Sequence, residues 1–239
     1  MQKPQLAPMT TYLSVQNSYT HLEIALMRDA ELVDRTACAK QDASRDFIIH
    51  LSELLARNKL VVANLQFVAV NQGPGPFTTL RTVLASVNGL SFATNIPLIG
   101  VDGLDAGLDE LASSDHPINI YLLNAFNRDV YFGIQENHKR QKGYKKIDAL
   151  LAKLHDKHPA TPLYFFGNGA ELYVRDIRYE LSGRAVFADP MPQTCSIEQI
   201  GKMGLSLWAK YGQEINGGER EKTLPTQQLM PLYLKQISP

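Results

Sequence analysis

The chain has 239 residues, 44% hydrophobic and 20% charged, the make-up of a globular protein with a sizeable core. Its 24 Lys and Arg balance 24 Asp and Glu for a formal net charge of +0, which excludes a protein that grips nucleic acid by bulk positive charge alone. The two cysteines, Cys38 and Cys195, have no CxxC or Cys/His ligand spacing, which excludes a disulfide scaffold and predicts reduced thiols in the cytoplasm.

Residues 1–8 carry two prolines and no apolar core, so they are expected to be a loose leader and not a secretory signal. No apolar run is long enough to span a bilayer. Residues 11–15 read as a strand. In 21–27, Leu22, Ile24 and Leu26 alternate as in a half-buried strand, and 31–39 follow as a third strand after a turn at Arg28-Asp29-Ala30. Ser44 is placed to cap a helix over 44–58 whose Phe47, Ile48, Leu51, Leu54 and Leu55 share one face. Residues 65–70 are a buried strand, 78–93 a helix, 97–101 a short strand and 103–112 a helix.

The order then nearly repeats. Strands are expected over 118–123, 129–135 and 142–146, a helix over 147–155, a strand over 163–166, and helices over 170–181 and 196–211. Three strands followed by helix–strand alternation, twice, predict α/β architecture with mixed sheets flanked by helices. Two such lobes are the plan of the two-lobed actin-like ATPase (RNase H-like) fold. The expected division is 1–101 plus 196–239 for the first lobe and 102–195 for the second.

The segment Gly73-Pro74-Gly75-Pro76-Phe77-Thr78-Thr79-Leu80-Arg81 joins the fourth strand to the long helix. Glycine permits backbone angles closed to other residues and proline fixes the turn; Thr78 or Thr79 is placed to cap the helix. Leu80, Val83, Leu84, Val87 and Leu90 form an apolar stripe. The loop lacks the Lys-Ser/Thr ending of a Walker motif and the GxGxxG spacing, which argues against a phosphate cradle.

This segment, with Ala85-Ser86-Val87-Asn88-Gly89-Leu90 and Ile96-Pro97-Leu98-Ile99-Gly100-Val101, resembles the signature of the TsaB (YeaZ) family. The family reads GPGSFTGLR, a helix with KGL or QGL, then IPLIGVS. Asp129-Val130-Tyr131, Gly167-Asn168-Gly169 and Pro231-Leu232-Tyr233-Leu234-Lys235 extend the likeness. The resemblance implies a non-catalytic subunit that pairs through first-lobe helices with itself or with a TsaD-like transferase, which adds threonylcarbamoyl to a tRNA adenosine. A TsaE-like ATPase completes the machinery, tRNA is met indirectly through the complex, and ATP and metal are expected on the partner subunits. The implied docking surface is 44–58 and 78–93, with Phe77, Thr78, Leu80, Arg81, Leu84, Val87 and Asn88 as interface residues and Leu80, Leu84 and Val87 partly exposed.

Departures sharpen the expectation. The superfamily's first metal-positioning Asp is matched here by Gln16 and the second by Asn124. A neutral amide binds Mg²⁺ less well than a carboxylate, so ATP hydrolysis is not expected; a residual ATPase or small-molecule kinase is the competing reading. The family's frequent His before the first-lobe helix is Ala43, and Pro76 and Thr79 replace its Ser and Gly. Arg81 is expected either to close its own helix against the core, the role its place near the helix start favours, or to pair with a partner carboxylate. Glu23, Asp102 and Asp105 do not make a nuclease-like set. His155 and His158 read as a solvated helix end, and no HExxH or GxSxG occurs. The basic run His138-Lys139-Arg140-Gln141-Lys142 with Tyr144, Lys145 and Lys146 reads as a charged hairpin tip, with tRNA phosphates as the alternative.

Overall fold

The first sheet is laid down by β1 (Thr11–Asn17), β2 (His21–Arg28), β3 (Glu31–Ala39), β4 (Val68–Asn71) and β5 (Leu98–Val101), in the order β3-β2-β1-β4-β5. The first three strands pair antiparallel, and β4 and β5 run parallel to β1. The computed structural model describes residues 9–217, with side chains to 211, and 226–234; the leader at 1–8 lies outside them. The second sheet repeats the plan. Strands β6 (Ile118–Asn124), β7 (Asp129–Glu136) and β8 (Lys139–Lys146) are antiparallel, and β9 (Leu163–Phe166) and β10 (Ala185–Phe187) continue in parallel, in the order β10-β9-β6-β7-β8. This doubled topology is the actin-like ATPase (RNase H-like) fold.

Strand β1 is buried along its length because helices cover both faces of the first sheet. On one side Leu13, Val15, Leu22 and Ile24 meet α1 (Ala43–Arg57) and α2 (Phe77–Thr94). On the other, Tyr12, Ala25, Met27 and Phe67 meet Ile197 and Trp208 of α7 (Ile197–Gly217). Ser14, forced into that apolar layer, donates its hydroxyl to the Ile197 carbonyl at 2.8 Å, as a buried hydroxyl must find an acceptor. Each large apolar side chain buried here contributes about 1.5–3 kcal/mol.

In the second sheet, Ile120, Leu122, Phe132 and Ile134 meet α4 (Ile147–Lys157) and α6 (Val174–Leu181). The opposite face packs Tyr121, Leu123 and Phe166 on α3 (Gly103–Leu111). Helices α3 and α7 therefore lie between the sheets, where Ala106, Cys195 and Ile200 form a shared cluster with Val101.

Several boundaries differ from expectation. The helix expected over 170–181 is two pieces, α5 (Asn168–Leu172) and α6, parted at Tyr173, which leaves helical geometry at φ −108°, ψ 21° with its ring buried. Strand β8 begins at Lys139, and its turn is Asn137-His138, both at positive φ (47° and 66°). That two-residue turn matches strand twist, so the basic run is an edge strand and not a hairpin tip. Neither Thr78 nor Thr79 caps α2, whose N-cap is Pro76, and Ser44 lies inside α1 after the N-cap Asp42. Ser196 caps α7 instead, its Oγ accepting from Gln199 N at 3.1 Å.

Candidate functional site

The conserved-looking loop is held by its own neighbours. Gly73 sits at φ +103°, where a side chain is strained and where a Cβ would lie 2.8 Å from Leu80 Cδ2. Its N–H is spent on Asn71 Oδ1 at 2.8 Å and its carbonyl accepts from Gly103 N at 2.8 Å. Pro74 and Pro76 have no N–H to offer. Gly73, Pro74 and Pro76 therefore offer no N–H to a phosphate.

The loop instead receives the C-terminal segment. Leu232 N donates to Gln72 O at 2.9 Å, and Gln72 Nε2 donates to Met230 O at 3.0 Å. Asn88 binds the Leu229 backbone both ways, donating to its carbonyl at 3.0 Å and accepting from its N–H at 2.8 Å. Arg81 Nε donates to the Tyr233 hydroxyl at 2.7 Å, its guanidinium lies 3.7 Å from the Phe77 ring centroid, and the Phe77 and Tyr233 rings are 5.4 Å apart. Two stretches distant in the sequence thus form one latch, in which Arg81 is bound within the chain to the C-terminal segment while staying exposed, not closed against the core. Lys235 lies outside the described residues. Replacing Asn88 with Ala is expected to cost about 1–2 kcal/mol, since two net hydrogen bonds are lost. Urea denaturation read with limited proteolysis of the C-terminal segment checks this, and an unmoved midpoint with unchanged cleavage contradicts it.

The structure corrects the expected docking stripe. Leu80, Leu84 and Val87 are 5%, 2% and 0% exposed and belong to the first sheet's core; they are not available to a partner. Asn88 is half-buried on Leu229, whereas Phe77, Thr78 and Arg81 are exposed. The solvent face of α2 is carried by Arg81, Ala85, Gly89 and Phe92, one step around the helix. Phe92 is 88% exposed, and nothing lies within 4 Å of where a Gly89 Cβ would be. Beside it α1 exposes Ile48, Ile49, Ser52 and Ala56. An apolar groove of about 360 Å³ lies along α1, walled by Ile48, Leu55, Leu60, Val61 and Val62, with Leu90 the one α2 residue lining it.

Gln16 and Asn124, the two amides expected to stand where the superfamily has carboxylates, are both held by protein partners. Gln16 is 1% exposed; its Nε2 donates to Cys195 O at 3.0 Å and Glu23 Oε2 at 3.1 Å, and its Oε1 accepts from Asn71 Nδ2 at 3.2 Å. Asn124 Oδ1 accepts from Phe126 N at 2.8 Å, and its carbonyl accepts from the Tyr19 hydroxyl at 2.7 Å. Tyr19, from the β1–β2 turn, thereby ties the first sheet to the end of the second. Burial pushes the Cys195 thiol up to about 12, and its backbone N–H donates to the Tyr121 hydroxyl at 3.2 Å. Among the described residues no three His, Cys, Asp or Glu side chains converge as a metal set. Glu23 lies with Gln16, while Asp102 and Asp105 are paired with Lys142.

Of the two histidines, His155 is exposed in the last turn of α4, as expected, its Nδ1 2.9 Å from Glu180 O, whereas His158 is buried and not solvated.

A family model described as "TsaD: tRNA N6-adenosine threonylcarbamoyltransferase" matches residues 37–168, more than half of the chain. The chain belongs to this TsaD-like family, in its TsaB (YeaZ) group. The "tRNA threonylcarbamoyladenosine biosynthesis protein TsaB" of Haemophilus influenzae is 24% identical over 123 residues, covering 51% of this chain and 52% of that protein. A "tRNA N6-adenosine threonylcarbamoyltransferase" of Solidesulfovibrio magneticus is 43% identical over 70 residues, 28% of this chain and 19% of that one. The chain spans about half the length, or less, of the curated relatives it matches. The solved structure "YeaZ from Pseudomonas aeruginosa" superposes with a TM-score of 0.67 at 19% identity, covering 95% of this chain and 100% of that one, which shows the shared fold. No helix among the described residues is long and apolar enough to cross a membrane.

Proposed function

We propose that this chain is a non-catalytic TsaB-like subunit that binds and supports a TsaD-like threonylcarbamoyltransferase in tRNA threonylcarbamoyladenosine formation. The observation that carries the reading is the unpartnered apolar face of α1 and α2. Ile48 is 56% exposed beside an open apolar groove, and Phe92, on another side of α2 from the groove-lining Leu90, is 88% exposed. Exposed large apolar groups around a groove mark a protein-binding surface. In this reading the occupant is the matching helix pair of the transferase, or of a second copy when the chain is alone. Phe77, Thr78 and Arg81 border that face at the start of α2. A TsaE-like ATPase joins the assembly, tRNA is met through the complex, and the setting is the cytoplasm. The first lobe is 1–101 plus 196–239 and the second 102–195.

Co-purification of a TsaD-like protein with this chain, followed by tRNA nucleoside analysis after depletion, tests the reading. Retention of the partner and loss of threonylcarbamoyladenosine are expected; neither occurring sinks it. The competing reading, a residual ATPase or kinase, requires Mg²⁺-dependent nucleotide binding. With Gln16 and Asn124 committed to protein partners, titration with ATP and Mg²⁺ is expected to show no metal-dependent binding. A Mg²⁺-dependent isotherm would favour the enzyme.

A further inference from the structure

The β8 cations fall by strand alternation into two groups, one held in ion pairs and the other neutralised only in part, with Lys139 opposite Glu136. On the α3 side, Arg140 pairs with Asp109 at 2.5 Å and Asp105 at 3.8 Å, and Lys142 pairs with Asp102 and Asp105. Those two residues are not free for phosphates, which removes them from the basic tRNA-facing set considered from the sequence. Lys146 is likewise committed, to Asp129 at 3.1 Å. Lys139 and Lys145 are of the opposite parity and border a crevice between β8 and α4. Helix α4 adds Lys153 to that rim. Among the described residues no acidic side chain forms an ion pair with Lys145 or Lys153, while Lys139 stands opposite Glu136 in the β7–β8 register and feels its charge. Lys157, also on the rim, is held by Glu136 at 2.6 Å.

The crevice has a volume of about 250 Å³ and a floor of Phe132, Ile134, Leu150 and Leu154. A cationic rim over an apolar floor is unsuited to a bare inorganic anion, which needs no apolar contact. Lys139 and Lys145 stand six residues apart on an extended strand, roughly 20 Å, a length that a single nucleic-acid strand covers with a handful of phosphates. Double-stranded RNA offers its bases only edge-on, so the apolar floor favours an unpaired strand. The polar side chain of Gln141, between the two lysines on the same rim, can meet a base edge.

Resting on the reading of the chain as part of a tRNA-modifying assembly, we propose that the β8–α4 crevice binds a single-stranded RNA segment, its phosphates on Lys139, Lys145 and Lys153 and a base over the apolar floor. The occupant deepens that reading by giving the chain a direct RNA contact away from the α1–α2 docking face.

The test uses the full chain and fluorescence anisotropy of a labelled 12-nucleotide single-stranded RNA, with an abasic strand of equal length and inorganic polyphosphate as further probes. The triple variant Lys139→Gln, Lys145→Gln, Lys153→Gln is expected to bind the RNA at least tenfold more weakly. Its log–log salt slope should be smaller by about two, for three phosphate contacts on a single strand. The charge-matched triple Lys40→Gln, Lys59→Gln, Lys202→Gln should bind as the wild type does. The abasic strand should bind about fivefold to tenfold more weakly than the native strand. Equal losses in both triples, or equal binding of abasic strand and polyphosphate, overturn the site. Absence of RNA binding by a wild-type chain that still co-purifies with the transferase overturns the site and leaves the docking reading standing.

Discussion

Replacing Ile48 and Phe92 together with Asp is expected to abolish co-purification of a TsaD-like transferase while leaving the fold intact. Both side chains project into solvent from the α1–α2 layer, so their exchange should change stability by no more than about 0.5 kcal/mol each. In an interface the same positions behave as anchors, and truncating an anchor costs about 2–4 kcal/mol, or roughly 30- to 1,000-fold in affinity. Aspartate adds the cost of burying an unpaired charge. Pull-down with the tagged chain, beside a thermal denaturation curve, reads both quantities. Full retention of the partner at unchanged melting temperature would remove α1 and α2 as the docking surface.

Leu84→Ala should behave in the opposite way. Leu84 is fully enclosed between α2 and the first sheet, so truncation removes buried surface and leaves a cavity. The expected cost is about 2–5 kcal/mol of folding stability. Partner binding by the fraction still folded should be preserved, because the side chain never reaches the surface. Urea denaturation with a parallel pull-down separates the two effects. Lost association with an unmoved denaturation midpoint would return Leu84 to the interface. The contrast between Leu84 and Phe92, on one helix, decides which face of α2 serves the partner.

Much of the fold was legible because it rests on short-range periodicity. The alternation of Leu22, Ile24 and Leu26 and the three-to-four spacing of Phe47, Leu51, Leu54 and Leu55 place their strand and helix nearly where they lie. The Gly73 turn was legible for the same reason: a positive φ is a local demand met by one residue type. Strand β10 escaped because three half-buried residues carry no period. The start of β8 escaped because Lys-Arg-Gln-Lys has no apolar alternation, and its strand conformation comes from pairing with β7.

Of the α2 residues expected at a docking face, Leu80, Leu84 and Val87 lie on the buried side of the helix. An apolar stripe says that one face is buried, but it cannot distinguish burial by the protein's own sheet from burial by a partner. Leu80, Leu84 and Val87 are claimed by β1 and its neighbours, which leaves Phe92 as the exposed apolar group. The amides at Gln16 and Asn124 were legible in the sequence as residue types. Their present work on Cys195, Phe126 and neighbouring backbone was not, since those partners come from distant segments.

The sequence by itself determined the family, the doubled strand and helix order and the Gly-Pro-Gly turn, because each is written in residue type and local spacing. Only the tertiary structure decided which face of α2 is free, that Arg81 and Tyr233 close a latch across the chain, and which β8 lysines are held in ion pairs. Those outcomes depend on side chains far apart in sequence competing for the same surface, charge or hydrogen bond, and the fold settles that competition.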